Sequence, residues 1–407
     1  MASTTPEARQ RYRDALSVRE FRFIFTAQVI AMVGMMMADF ATTVLVYRRT
    51  GSALLGSLVL ALAFLPHLFS GTLLSSLVDR VPVRRLMTGC CLLVAGLAAL
   101  MAVPGMPVAA LLGLVFLIGM VGPVLSGARA ATLPEVLPPA AYIPGRSLLR
   151  LVSQLAQVVG FGLGGLLLVF VEPAAALLLE SAAFVVAAVL LRVGTLDRPA
   201  VSAGDGSMLR DSLTGVREVL ALRPLRRNLL LGWSVPLLAV FPEALATPYA
   251  AERAMTTAEL GLLMAAAPIG SLVGEFLGIR LLSPARQVRM IAPLAVLSLA
   301  PLLGYAMRPG FVPAALLLFL AGLGVVHHLG QDRHLLQVAP ERLRSRALAL
   351  QTTGLMFFQG LGFAVAGVAG EFFRISAVVP VAALLGLAAV AVLRPSRQGT
   401  VSAASTL

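Results

Sequence analysis

Long apolar stretches broken by short charged segments set the plan of the chain. Residues 50–78 hold one such stretch. Residues 86–128 run 43 positions without a charge, enough for two helices turning at Pro104-Gly105. Positions 151–171, 290–307, 309–331, 347–370 and 375–393 give five more. Four further segments are apolar but carry an acid: 23–46 with Asp39, 174–191 with Glu180, 228–248 with Glu243, and 258–279 with Glu275. About 20 apolar residues cross the hydrocarbon of a bilayer, so the pattern predicts an all-α membrane protein of twelve transmembrane helices.

The polar segment 192–227, rich in Asp, Ser, Gly and Arg, separates six spans from six. Motifs also recur across this divide at a nearly constant offset. Gly56 and Gly261, each preceded by Leu, are 205 apart, and Gly71 and Gly274 are 203 apart. Arg146 and Arg346, Gly160 and Gly360, and Gly162 and Gly362 are each 200 apart, and Pro134-Glu135 recurs as Pro340-Glu341. Ordered matches in a narrow band of offsets mark an internal repeat in parallel orientation. The expected organisation is a segment 1–22, a six-helix bundle 23–191, a central loop 192–227, a second bundle 228–393 and a tail 394–407. Small residues four apart let helix backbones approach closely. Gly71/Ser75, Gly160/Gly164, Gly270/Gly274/Gly278 and Gly360/Ala364 are therefore expected at the interface between the bundles.

Composition agrees: 58% of residues are hydrophobic and 13% charged, against about 25% charged in a soluble domain. The net charge of +13 comes from 32 basic residues, all Arg, against 19 acids. If the termini are cytoplasmic, 27 of these Arg lie on the cytoplasmic side. Only Arg48, Arg49, Arg253, Arg308 and Arg374 lie outside. Arg129, Arg146 and Arg150 are counted here as the loop between spans 4 and 5. Basic residues collect in cytoplasmic loops, so the charge reads as topology and not as a nucleic-acid footprint. With no Lys there is no P-loop, and no metal set or catalytic motif is read, so neither a cofactor nor an enzyme is expected. The adjacent Cys90 and Cys91 read as small apolar residues.

Several motifs carry a family resemblance. Tyr47-Arg-Arg-Thr-Gly-Ser52 follows span 1, Asp79-Arg80 with Arg84-Arg85 lies between spans 2 and 3, and Arg129-Ala-Ala-Thr-Leu-Pro-Glu135 precedes Gly160-x-Gly-x-Gly-Gly165. With twelve spans and a 6+6 repeat, the chain resembles the major facilitator superfamily. The motifs are similar to its drug-exporter branch, which includes macrolide and siderophore efflux proteins. Phe161 stands where exporters carry Pro, and span 4 reads as lacking a mid-membrane Arg. The resemblance implies two pseudo-symmetric bundles, a cavity lined by spans 1, 4, 7 and 10, and alternating access. It also implies an inner gate at Asp79, Arg80, Arg84 and Arg346.

An ionisable group inside hydrocarbon costs at least ~2.5–3.5 kcal/mol and is a functional candidate by default. Asp39 and Glu243 sit at similar depths and 204 positions apart, within the repeat offset, so they are expected to bind protons or a cationic substrate. Glu180 lies in span 6, which the resemblance places at the periphery, so it reads as a hydrogen-bonded structural acid, with proton or substrate binding as the alternative. Met36 and Phe40 offer adaptable apolar surface on span 1. The expected activity is proton-coupled export of an amphipathic small molecule, such as an antibiotic or natural product. It would work as a monomer in the bacterial cytoplasmic membrane, with lipid around it and both termini inside. A siderophore exporter, a proton-coupled importer and a non-transporting receptor on the same fold are the alternatives.

Overall fold

The computed structural model describes residues 13–67, 81–198 and 216–393. Its helices in chain order are α1 (Arg19–Thr50), α2 (Ala53–Phe64), α3 (Val83–Met101), α4 (Val108–Val136), α5 (Pro139–Phe170) and α6 (Pro173–Gly194). After the central segment come α7 (Arg223–Ala239), α8 (Thr257–Leu281), α9 (Ile291–Leu299), α10 (Phe311–Gly324), α11 (Arg344–Phe372) and α12 (Ile375–Leu393). Short helical pieces extend α7 to Glu252, α9 to Met307 and α10 to Val338. Ten of these units are long and apolar enough to cross a membrane, and Ala53–Phe64 and Ile291–Met307 are shorter apolar helices at the second and ninth positions. A helix satisfies its own backbone, which is what a segment without water requires. Leu92, Leu93, Leu163, Leu166, Val189, Leu384 and Leu385 project from the outer faces, where lipid tails would replace water.

The turn between α1 and α2 shows how short sequence signals fix an element boundary. Gly51 adopts φ +66 and donates its N–H to the Tyr47 carbonyl, closing α1 with a left-handed cap that a side chain would strain. Ser52 then caps α2, accepting from the Leu55 N–H at 3.2 Å. At the start of α8, Thr256 and Glu259 form a reciprocal capping box.

Close packing differs from the expectation drawn from the small-residue ladders. Gly160 and Gly164 do not face the other bundle; they pack on Met36, Met37 and Phe40 of α1, within the first bundle. Gly270, Gly274 and Gly278 pack on Phe319, Leu323 and Val326 of the tenth span, within the second. Of the expected ladders, Gly360 does lie between the bundles, against Phe64 and Leu65; the bundles also meet where Gly165 touches Gly261 and where Gly367 touches Ser57. Gly71 and Ser75 lie outside the described residues. The glycines paired by the repeat pack differently: Gly160 lies on Met36 of α1, its mate Gly360 on Phe64 and Leu65, and it is Gly362 that lies on Leu237 and Val240 of the seventh span. A small residue specifies that some backbone comes close; which backbone is set by the bundle.

Two segments depart from the continuous spans read in the sequence. The seventh span is interrupted at Val240 and Leu245, leaving Phe241–Ala244 as a single turn between α7 and Ala246–Glu252. Pro236, Pro242 and Pro248 recur every six residues, and each removes a backbone donor and crowds the carbonyl four residues earlier. The region between spans 4 and 5 departs the other way. It is helix almost throughout, because α4 runs to Val136 and α5 begins at Pro139. Arg129, Arg146 and Arg150 are therefore helical residues and not loop residues, with Arg129 seven residues before the end of α4.

Candidate functional site

With the helix ends nearer the two chain termini called inner and the opposite ends outer, three acids lie within the membrane-spanning helices in their outer halves. Asp39 is 11 residues from the outer end of α1, or about 17 Å at 1.5 Å per residue. Glu180 is seven residues into α6, about 11 Å below its outer end. Glu243 sits in the isolated turn Phe241–Ala244, nine residues before Glu252. Among the described residues none of the three carboxyls is in an ion pair. The outer cations Arg48 and Arg253 do not neutralise them: Arg48 donates to Thr257 Oγ1 at 2.9 Å, and Arg253 lies beside Tyr249.

The structure groups these acids differently from the repeat. Glu180 is 3% exposed and turned into the α1–α6 contact, not out to the periphery. Gly34 permits that contact, since a Cβ there would lie 2.9 Å from Ala183 and 3.5 Å from the Glu180 Cα. Glu180 is thereby within Coulombic reach of Asp39. Glu243 stands apart, its flanking residues Phe241 and Ala244 packed in the core with Phe40, Phe161 and Phe363. Met36 and Phe40 both press on glycines of α5, and Phe40 is fully buried. In this state Phe40 has no surface to offer a substrate.

The outer ends of the two bundles are fastened together. Ser52 Oγ donates to Glu371 Oε2 at 2.9 Å, and the Leu54 N–H donates to the same oxygen at 3.1 Å. The polar Thr-Gly-Ser turn thus ends one helix, starts the next and supplies a donor to the opposite bundle. Beside it, a Cβ on Gly165 would lie 2.6 Å from the Gly261 Cα, so the α5 and α8 backbones are in direct contact. The outer entrance is closed.

On the inner side, Glu275 accepts from Gln154 at 2.7 Å and pairs with Arg150 at 3.4 Å, across the bundles. Arg280, its sequence neighbour, lies over the Phe276 ring instead. Of the expected gate, Arg84 is bound at 2.7 Å to Asp197, in its own half of the chain. Arg346 is exposed, and Asp79 and Arg80 lie outside the described residues. A second inner knot joins Glu20 to Arg198 at 2.6 and 2.8 Å, and Arg198 also meets Glu135 at 3.1 Å. Donating these hydrogen bonds to the Glu20 carboxylate holds the Arg198 pKa above its usual value.

Comparison with known proteins fits this geometry. The family described as Major Facilitator Superfamily matches residues 24–330, well over half of the chain. The chain belongs to that superfamily. Its fold is shared with a variant of the nucleoside transporter NupG, at 11% identity over 91% of this chain and 98% of that one, with a TM-score of 0.72. The peptide transporter POT in complex with sulfate matches at 13% identity over 94% and 97%, TM-score 0.70. A bacterial homologue of the human lysosomal transporter Spinster, inward-facing and unoccupied, matches at 14% over 92% and 94%, TM-score 0.64. No curated protein sequence matches. Membership of the major facilitator superfamily makes this a multi-pass transporter and not an enzyme.

The same major facilitator frame exposes residues that sequence reading missed. Gln28 of α1, Ser126 and Arg129 of α4, and Tyr142, Arg146, Arg150 and Ser153 of α5 line one concavity in the inner half of the first bundle. The signal was in the chain. Residues 142, 146, 149, 150 and 153 follow helical spacing, which argues against a loop.

Proposed function

We propose that the protein is a proton-coupled secondary transporter of the bacterial cytoplasmic membrane that exports an amphipathic small molecule by alternating access. The observation carrying this reading is the set Asp39, Glu180 and Glu243: acids embedded about 11–17 Å below the outer helix ends, without a counter-ion among the described residues. A carboxyl with no cation beside it is least costly in a dry site when it carries a proton. Opening the site to water favours release. A conformational cycle that alternately dries and wets these acids therefore moves protons. Asp39 and Glu180, close together on α1 and α6, share one load; Glu243, in the broken seventh span, responds to motion of the second bundle. The closed outer end, with Ser52 and Arg48 bound across to Glu371 and Thr257, suits one end state of such a cycle. Asp79, Arg80, Arg84 and Arg346 are proposed to form the opposite, inner gate.

Inside-out proteoliposomes with an imposed pH gradient test the proposal against a panel of amphipathic antibiotics. Gradient-driven accumulation is expected for at least one compound. It should be lost in the Asp39→Asn/Glu243→Gln double variant, with gradient-independent exchange retained. Undiminished gradient-driven transport in that variant would remove the acids from the coupling, and no exchange of any compound would favour a receptor.

A further inference from the structure

Arg129, Arg146 and Arg150 do not sit where topology alone would leave them. Arg129 lies seven residues before the end of α4, Arg146 seven residues after the start of α5, and Arg150 four further on. At 1.5 Å per residue this is about 10–17 Å in from the α4–α5 connection. They converge on one concavity of about 330 Å³. Its walls are two helical stripes: Ser126, Arg129, Ala130 and Leu133 on α4 face Tyr142, Arg146, Leu149, Arg150 and Ser153 on α5. Gln28 of α1 closes it. Among the described residues, three guanidiniums and no carboxylate line this space.

Among the described residues, only Arg150 of the three has an acidic partner. Gln28 Nε2 donates to the Leu149 carbonyl at 3.2 Å, and Arg129 Nε donates to the Leu125 carbonyl at 3.3 Å. Among the described residues neither Arg129 nor Arg146 has an acid within ion-pair distance, and Arg150 reaches Glu275 only at 3.4 Å. Clustering cations in a partly desolvated recess is unfavourable unless an anion completes the set. Arg is also the side chain whose fork of donors matches an oxyanion.

We propose that this recess is an anion-binding site, taking a carboxylate, phosphate or phosphate-ester group that enters from the cytoplasmic side. It is separate from the outer acids and stands whether or not protons drive transport. Two sources supply such a group: a soluble solute, which makes the site a substrate subsite, or an anionic lipid headgroup at the inner leaflet.

The purified full chain in a neutral detergent is titrated with sodium citrate, sodium phosphate and dispersed phosphatidylglycerol, with sodium chloride at equal ionic strength as reference. The readout is the unfolding midpoint. A saturable rise with at least one oxyanion and not with chloride is expected. Its apparent affinity should fall tenfold or more in Arg129→Gln and Arg146→Gln, and stay unchanged in Arg286→Gln, an exposed Arg of the other bundle. Arg129→Lys, which keeps the charge, should retain most of the binding, which separates site loss from misfolding. Saturation by citrate or phosphate alone assigns the site to a solute; phosphatidylglycerol binding that the soluble anions cannot displace assigns it to lipid. The proposal is overturned if no anion gives a saturable response, or if both Arg-to-Gln variants respond as the parent does.

Discussion

Gly261 of α8 and Gly165 of α5 meet backbone to backbone at the closed outer end. A Cβ placed on Gly261 would lie 2.6 Å from the Gly165 Cα and 2.6 Å from the Phe161 carbonyl oxygen. Optimal carbon–carbon separation is about 3.5–4.0 Å, so the helices must part by about 1 Å. Both obstacles are main-chain atoms, and no rotamer change relieves them. Overpacking of this kind costs roughly 1–3 kcal/mol. Here the cost falls on the state in which the outer ends touch, because separation of the bundles removes the clash. The equilibrium should therefore shift from outer-closed to outer-open by about 5- to 150-fold. The assay is a spin–spin distance measurement between Val103→Cys in the first bundle and Met307→Cys in the second. Both residues are exposed at the outer end, and Cys90 and Cys91 are replaced by Ser in this background. Gly261→Val should enrich a longer-distance population. A folded variant with an unchanged distance distribution would refute the idea that this contact fastens the outer entrance.

Further expectations follow from single contacts. Glu371→Gln weakens the two bonds to Ser52 and the Leu54 N–H and should shift the same distance distribution in the same direction, by about 1 kcal/mol; no shift would place the latch elsewhere. Gly354→Ala puts a Cβ into the Trp233 indole, which stacks on Phe358 at 5.3 Å and donates to the Gln351 carbonyl at 3.3 Å. A loss of about 1–3 kcal/mol is expected, read as a lowered unfolding midpoint with altered Trp fluorescence. Glu20→Gln should cost about 1 kcal/mol, since the Glu20–Arg198 pair is partly solvated. Part of that effect should disappear in high salt, and an effect independent of salt would deny the ionic reading.

Much of the architecture was legible along the chain because the membrane imposes a simple code. Charge-free stretches of about 20 residues, an offset of 200–206 positions and the Thr-Gly-Ser turn report one-dimensional constraints: thickness, duplication and a tight corner. Depth was legible for Asp39 and Glu243 for the same reason, since depth is a count along a helix. Direction around the helix was not. Glu180 reads from the sequence as a structural acid on a peripheral span; only the structure shows that Gly34 opens a place for it against α1. Gly160, Gly164 and the Gly270 ladder read as an interface between bundles, and they pack inside them. Residues 129–150 read as a loop when charge alone marks the end of a span. An Arg ends a lipid-facing segment; it does not end a helix that faces a recess in the protein.

The sequence by itself determined the helical membrane-spanning plan, the collection of Arg at the ends of the apolar segments and the presence of acids within those segments. Those follow from transfer free energies that act on each segment alone. Only the tertiary structure decided which acids share a neighbourhood, which glycines bring the two bundles together, and that Arg129, Arg146 and Arg150 converge on one recess. Those depend on the rotation of each helix about its axis. In lipid that rotation is set by close packing between helices and not by hydrophobicity, because every face of such a helix is apolar enough to meet the bilayer.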